Sequence, residues 1–313
     1  MIEVIKSGPQ LSIQDLGRFN YRHLGVSQAG AADSDALRIA NRLVGNPDNT
    51  PALEVTLGMA QLKFCSSQCF SLSGADMSAN LNGARVDPGW SYQAQPGDIL
   101  TFASSALNLR CYLAFAGGIV ATAELGSYST DIMAGLGANH GRALSAGERI
   151  AIHPSNFHPQ GFGARLPTRQ GPIHFIPEQR DHGLTASIKS AFIEGRWQVA
   201  PQSNRMGLRL HWPQHERLSH YLGIASTAVS PGTIQLPGNG EPIVLLNDCQ
   251  TTGGYPILGH VISADLPRLG QARAGAELQF EAVSLAQAEA INAAHQHELN
   301  RLEIAMRGRQ HAH

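Results

Sequence analysis

Lysine is nearly missing from this 313-residue chain: Lys6, Lys63 and Lys189 are the only three, and the other twenty basic residues are arginine. None of the three stands in a GxxxxGK[ST] loop, which excludes a Walker-type phosphate cradle. None sits in the Met-Lys-like turn of a biotin carrier, so the chain does not itself carry biotin. Charge is scarce as well, at 15% of residues, and 23 basic residues against 24 acidic leave a net charge of -1. With no basic excess to neutralise a phosphate backbone or an anionic bilayer, neither nucleic acid nor membrane is expected as a partner. The four cysteines, Cys65, Cys69, Cys111 and Cys249, are few for this length. The CxxxC at 65 and 69 lacks a second pair at zinc-finger spacing, so buried, reduced thiols in a cytoplasm are expected. Long apolar runs are absent: the stretch from Cys111 to Ala123 is broken by Gly117 and Gly118 and falls short of the roughly 18 to 20 residues a membrane span needs. At the N-terminus, Glu3 and Lys6 stand where a signal peptide would be apolar, which again favours the cytoplasm. No GxSxG elbow is present, and local spacing assembles neither Ser/His/Asp nor Cys/His.

What is abundant points to β structure. Thirty-three glycines and seventeen prolines punctuate short segments of Val, Ile, Leu, Phe and Thr, giving turn signals every eight to twelve residues or so. Alternation of Leu53, Val55 and Leu57, of Leu62 and Phe64, and of Phe70 and Leu72 predicts antiparallel strands. PGDILTF and AGERIAI repeat one turn-acid-strand phrase. One short helix is expected near 33–45, capped by Asp33 or Ser34, with Leu37, Ile39, Ala40, Leu43 and Val44 on its apolar side and Gly45 and Pro47 ending it. Residues 153–172 lose the apolar pattern and mark a domain boundary. The chain is therefore predicted to be mainly β, with an N-terminal β-rich domain over 1–155 and a second over 170–284. A long C-terminal helix and tail occupy 285–313, with Leu285, Ala288, Ile291, Ala294, Leu299, Leu302 and Met306 near helical spacing.

Fourteen histidines invite a metal reading, but His211 and His215 have Pro213 between them and lack the glutamate that follows the first histidine of a zinc helix. Solvated surface is expected for His295, His297, His311 and His313, and for His153 and His158 between the domains. GLGANHG at 135–141 lacks GxGxxG spacing and reads as a structural turn.

Three segments combine amides, acids, arginines and glycines more densely than turns require. The first places Gln14, Asp15 and Arg18 in one turn and Ser27, Gln28 and Gly30 ahead of the helix, where free N–H groups and the dipole offer an anion site or ordinary capping. In the second, Ser203, Asn204, Arg205 and Arg209 surround Met206 and Gly207; an extended chain would put Arg205, Gly207 and Arg209 on one side, as a functional face or a plain surface strand. The third runs Asn247, Asp248, Gln250, Thr251, Thr252, Gly253, Gly254, Tyr255, Pro256. There the glycines can form a nest for a phosphate or oxyanion, and Asp248 can act as base or magnesium ligand.

These segments, with LEVTLG at 53–58, LAFAGGI at 113–119, LGSYSTD at 125–131 and IQLPGNGEPIVLLNDCQTTGGYP at 234–256, resemble the 5-oxoprolinase C-subunit family, also described as allophanate hydrolase subunit 2 or biotin-dependent carboxyltransferase family. SNRMG and NDxQTTGGYP in this order carry the resemblance, which runs from about residue 3 to 290. It implies a cyclophilin-like β-barrel in a mostly β protein, working with subunits A and B and with ATP and Mg²⁺ to open 5-oxoproline to L-glutamate. It also implies two alternatives: carboxyl transfer from carboxybiotin to a urea-like acceptor, and regulation of a sporulation kinase. On the first reading Asp248, Arg205, Gln250 and Asn204 would be catalytic. Gln14, Asp15, Arg18, Ser27, Arg209, Asn247, Thr251, Thr252, Gly253, Gly254 and Tyr255 would bind substrate or phosphate.

Overall fold

The computed structural model describes residues 1–159, 161–164, 169–180, 182–212 and 223–310. The chain is mainly β, as expected, and its contacts divide it into two units. One comprises Met1–Phe19, Ala29–Pro167 and Leu299–His313, the other Asn20–Gln28 and Thr168–Glu298.

In the first unit a six-stranded sheet and a five-stranded sheet share one core. The five-stranded sheet has the order Gln10–Gln14, Ala52–Thr56, Arg110–Phe115, Gln68–Gly74, Trp90–Ala94, every pair antiparallel. Its strands Ala52–Thr56 and Arg110–Phe115 are buried along their whole length, and the period of two explains why. Leu53, Val55, Cys111, Leu113 and Phe115 face the core between the sheets, where Phe64 meets Phe70 at 5.1 Å and Phe115 at 6.3 Å. Ala52, Tyr112 and Ala114 face the other way and pack beneath Ala36, Leu37, Ala40 and Val44 of the helix Ser34–Leu43. The far side of that helix, Ile39 and Leu43, meets Leu302 and Met306 of the C-terminal helix.

The predicted alternation holds to Val55 and fails at Leu57. Leu57, Gly58 and Met59 all have positive φ (63°, 83° and 58°), because the chain turns sharply there. A Cβ on Gly58 would stand 1.9 Å from the Ala103 carbonyl oxygen, so the turn closes against backbone and only glycine fits its centre.

The second unit is an eight-stranded sheet in the order Glu277–Leu278, Trp197–Val199, Gly207–His211, Ile243–Leu245, Thr233–Gln235, Ile257–Val261, Ile173–Pro177, Phe280–Ala282. Its two edge strands are separated in the chain only by Gln279, so the sheet curls into a nearly closed barrel, the solution that removes exposed edges. Phe175, Phe192, Trp197, Leu210, Ile234, Val244 and Phe280 fill it. Trp197, buried among them, satisfies its indole N–H on the Phe192 carbonyl at 2.9 Å. A carboxylate buried without exposure, Asp265, accepts from His174 through both its amide and its Nδ1 and pairs with Arg268 and Arg169. Burial alone would raise its pKa, but those donors hold it below the ordinary carboxylate value.

The long C-terminal helix is present as Leu285–Gln310. It opens on a capping box: Gln287 Oε1 accepts from the Ser284 amide at 2.8 Å, while Ser284 Oγ accepts from the Gln287 amide at 3.3 Å. No helix among the described residues is long and apolar enough to cross a membrane.

All four cysteines are free thiols, with Cys65 exposed and the other three buried. Burial pushes Cys69 and Cys111 up to about 12 and Cys249 to about 11. Since the thiolate is the reacting form, a disulfide reagent at pH 8 is expected to titrate one thiol rapidly in the native protein and all four after denaturation. Fast reaction of two or more native thiols would contradict this packing.

Candidate functional site

The structure divides the sequence-predicted residues between the two units: Gln14, Asp15 and Arg18 in the first, and the remaining candidates, Ser27 included, in the second.

Gln14 ends the strand Gln10–Gln14, and with Asp15 and Arg18 it is fully buried. Asp15 is saturated. Its Oδ1 accepts from the Gly17 amide at 2.8 Å and from Ser127 Oγ at 2.7 Å, as well as from Ser129 Oγ; its Oδ2 accepts from the Tyr128 amide at 2.8 Å. This carboxylate clamps the segment 127–129 onto the turn after the strand. Arg18 donates from Nε to the Glu124 carbonyl at 3.1 Å and from Nη2 to the Ser129 carbonyl at 3.0 Å. Gln14 Nε2 donates to Ser12 Oγ at 3.1 Å and to the Thr130 carbonyl at 3.0 Å.

Of the two readings of the following helix start, an anion site or ordinary capping, the structure has the capping, because the protein's own acids occupy its N-terminus. Asp33 Oδ1 caps it by accepting from the Ala36 amide at 2.9 Å, and Glu54 Oε2 accepts from the Ala32 amide at 3.1 Å. Tyr112 joins them, its hydroxyl donating to Glu54 Oε2 at 2.6 Å. Burial and the neighbouring Glu54 keep that phenol well above its usual pKa, and so protonated.

In the second unit Arg205 and Asp248 are brought together, each by a tight turn. Asn204 and Gly207 exchange backbone hydrogen bonds at 3.2 Å around a two-residue turn, and Asn204 Oδ1 accepts from the Met206 amide at 2.8 Å. Arg205 is therefore at a hairpin tip and not in an extended run. It is buried while Arg209, in the strand that follows, is exposed, so the expected shared face of the two arginines does not exist. The turn docks on 246–248 through the Leu246 amide to the Met206 carbonyl and the Asp248 amide to the Arg205 carbonyl. Across that contact the side chains form a bidentate pair, Nε to Oδ2 and Nη2 to Oδ1, both 2.8 Å.

The expected phosphate nest at 251–254 is also absent. Thr252–Gly253 is a short strand paired with Thr227–Ala228, and neither Gly253 nor Gly254 has the positive φ such a nest requires. What Gly253 provides is closeness: a Cβ there would lie 2.5 Å from Gln235 Nε2. Gln250 and Tyr255 are exposed, and Asn247 is half-buried.

Sequence reasoning passes over Arg22, which starts a one-turn helix ended by Gly25 at φ 83°. Its Nη2 donates to the Val229 and Gln250 carbonyls and approaches Cys249 Sγ at 3.9 Å, tying the start of the second unit to the 249–250 turn. Ser127, Ser129 and Gly137 escape it for the same reason: their partners are far away in the chain, and only flanking glycines offer a local sign. Among the described residues no group of three His, Cys, Asp or Glu is placed to hold a metal ion. His211 belongs to the strand Gly207–His211, while His215, His311 and His313 lie outside the described residues.

The family described as carboxyltransferase domain, subdomain A and B, matches residues 24–282. The chain is 40% identical over 291 residues to the 5-oxoprolinase C-subunit of Escherichia coli (strain K12), covering 92% of this chain and 93% of that one. It is 31% identical over 307 residues to urea amidolyase of Saccharomyces cerevisiae, covering 90% of this chain and 17% of that protein. The crystal structure of the Kluyveromyces lactis urea carboxylase matches it with a TM-score of 0.86 at 29% identity, over 96% of this chain and 29% of that one. The chain thus spans less than a third of the urea enzymes it matches.

Proposed function

The chain belongs to the family of carboxyltransferase domains, subdomains A and B, and from that premise we propose that it is the C-subunit of an ATP-dependent 5-oxoprolinase. In a complex with subunits A and B it would open the lactam of 5-oxoproline to L-glutamate, with ATP hydrolysed to ADP and phosphate. One observation carries this reading. The 5-oxoprolinase relative matches nearly end to end in both directions, whereas the urea enzymes contain this fold as a minor part of a longer chain.

A lactam N–C=O group is planar and unreactive until charge developing on its oxygen is stabilised. The part assigned to this chain is to hold that group, not to attack it. Mg²⁺ with ATP does not fit Asp248 or the 251–254 segment. Asp248 has both oxygens on the Arg205 guanidinium, and 252–253 is extended. No step is therefore assigned to Asp248, and on this reading the partner subunits would hold the nucleotide. The complex is expected in the cytoplasm, consistent with three buried, free thiols.

The test is reconstitution with subunits A and B, following phosphate and glutamate with and without 5-oxoproline. Coupled release of both is expected; release of neither by folded subunits would overturn the reading. A second reading, carboxyl transfer to a urea-like acceptor, draws on the match to the urea carboxylase structure. It requires avidin-sensitive activity.

A further inference from the structure

We propose that His260 is the proton-carrying residue of this chain, taking a proton from the attacking atom and passing it to the leaving nitrogen of a bound N–C=O group. The inference rests on the chain acting on such a group, which the lactam reading and the carboxyl-transfer reading share, and not on the choice between them.

His260 lies in the strand Ile257–Val261, opposite Thr233 on one side and Ile176 on the other. The alternate positions Phe175, Ile234 and Val261 belong to the barrel core, so the period of two turns Ile176, Thr233 and His260 to the outer wall. There the imidazole is 40% exposed. Its Nδ1 is 3.3 Å from Oγ1 of Thr233, which is fully buried and already accepts from the Ser230 amide at 3.0 Å. After that bond a hydroxyl still has one proton to give and one lone pair to offer. Thr233 can therefore donate to a bare Nδ1 or accept from a protonated one, and the ring keeps its place through a change of protonation.

Nε2 has no hydrogen bond among the described residues. The carboxylate it faces, Glu178 Oε2, is 3.7 Å away, beyond hydrogen-bond length yet close enough to attract positive charge on the ring. Arg180 keeps Glu178 an anion: it donates from its amide, Nε and Nη2 at 2.9, 3.2 and 2.9 Å and holds that carboxyl at about 2. Arg180 Nη1 also reaches Thr227 Oγ1 at 3.4 Å, and Thr227 pairs with Gly253. A continuous chain of contacts inside the second unit thus links His260 to the Thr252–Gly253 strand of the candidate segment.

A ring nitrogen without a partner, a hydroxyl that can switch roles behind it and an anion beside it suit a general base that turns into a general acid. Both reactions need that order of events. In lactam opening a water oxygen bonds to the carbonyl carbon and one water proton passes to Nε2. The C–N bond then breaks with its electron pair on nitrogen, and the same proton moves from Nε2 to that nitrogen, leaving the imidazole as it began. In carboxyl transfer the attacking atom is the acceptor nitrogen, whose proton passes to Nε2 as it bonds to the carboxyl carbon. The nitrogen that gives up the carboxyl group keeps the pair of the broken bond and takes that proton.

The test is turnover by the complex reconstituted with subunits A and B, for the wild type, His260→Ala, Thr233→Val and Thr233→Ser. It is followed as glutamate from 5-oxoproline and, with a biotin carboxylase supplied, as avidin-sensitive carboxylation of urea. In the reaction the wild type performs, His260→Ala is expected to lose at least about 100-fold in kcat, the usual range for a general acid–base group. Added imidazole should restore at least about tenfold and leave the wild type unchanged, which a loss of packing does not allow. Thr233→Val should lower kcat about tenfold with KM within about twofold, while Thr233→Ser, which keeps the hydroxyl, should stay within about threefold of the wild type. If His260→Ala stays within about threefold of the wild type, or imidazole rescues nothing in a variant that unfolds at the wild-type temperature, His260 only lines the wall and the inference falls. If the wild type carboxylates urea and releases no glutamate, and imidazole rescues that reaction in His260→Ala, the 5-oxoprolinase reading falls and the role of His260 stands. If the folded wild-type complex performs neither reaction, both readings fall and the role of His260 falls with them.

Discussion

Arg205→Ala is expected to destabilise the second unit by about 3–5 kcal/mol, the usual cost of leaving a buried charge without its partner. Arg205 is 6% exposed and Asp248 is 6% exposed, and the pair joins the hairpin tip at 205–206 to the 246–248 segment through two side-chain contacts of 2.8 Å. Asp248→Leu should cost a similar amount. The informative result is the double variant Arg205→Met with Asp248→Leu, which removes both charges and keeps volume; it should recover most of either single loss, because replacing a whole buried pair with apolar side chains is often close to neutral. Urea unfolding followed through the buried Trp197 would measure all three. Strictly additive losses would mean that the two side chains do not act on each other. The same series bears on function: if activity of the reconstituted complex falls in the double variant while stability recovers, the pair also positions the exposed Gln250 turn for substrate.

How far the sequence announces this arrangement depends on the range of the contact. Period-two alternation in 53–55, 62–64 and 70–72, the Asp33 cap, the Gly45 stop and the long C-terminal helix are local patterns, and all of them are found in the structure. The positive-φ turn at Leu57 is hidden because its cause, the Ala103 carbonyl, is more than forty residues away. The hairpin at Asn204–Gly207 is hidden for a different reason: Arg205, Gly207 and Arg209 do alternate, and only the Asn204 side chain folding back on the Met206 amide shows that the chain reverses there. Local composition singles out Asp248 and Arg205. It does not show that each is the other's partner, and that fact alone changes the expected consequence of mutating them. Ser127 and Ser129 are invisible as site residues, since a serine becomes notable only when a buried carboxylate from a distant turn is set against it.

The same long-range logic makes Asp15→Ala the second large effect, with an expected loss of about 4 kcal/mol. Alanine strands the Gly17 and Tyr128 amides, both at 2.8 Å from the carboxylate, and a buried unpaired donor costs about 1–3 kcal/mol. The Ser127 and Ser129 hydroxyls can rotate toward other acceptors, but the two amides are fixed by the backbone. Asp15→Asn is expected to fare little better, within about 1 kcal/mol of alanine, because an amide keeps one oxygen and turns an N–H₂ toward a site where only donors point. Gly137→Ala should act in the same direction through the same segment: its φ is 91° and its Cβ would fall 1.9 Å from the Ser129 carbonyl oxygen that holds Arg18. Thermal unfolding gives the size of these effects, and amide hydrogen exchange gives their place. Protection of the Gly17 and Tyr128 amides should drop in Asp15→Ala well before that of the Leu113 amide in the sheet core. Uniform loss of protection across the first unit would instead mean that Asp15 supports the whole fold and not the 127–129 clamp, in which case the carbonyls on which Gln14 and Arg18 hang would owe their position to the sheet alone.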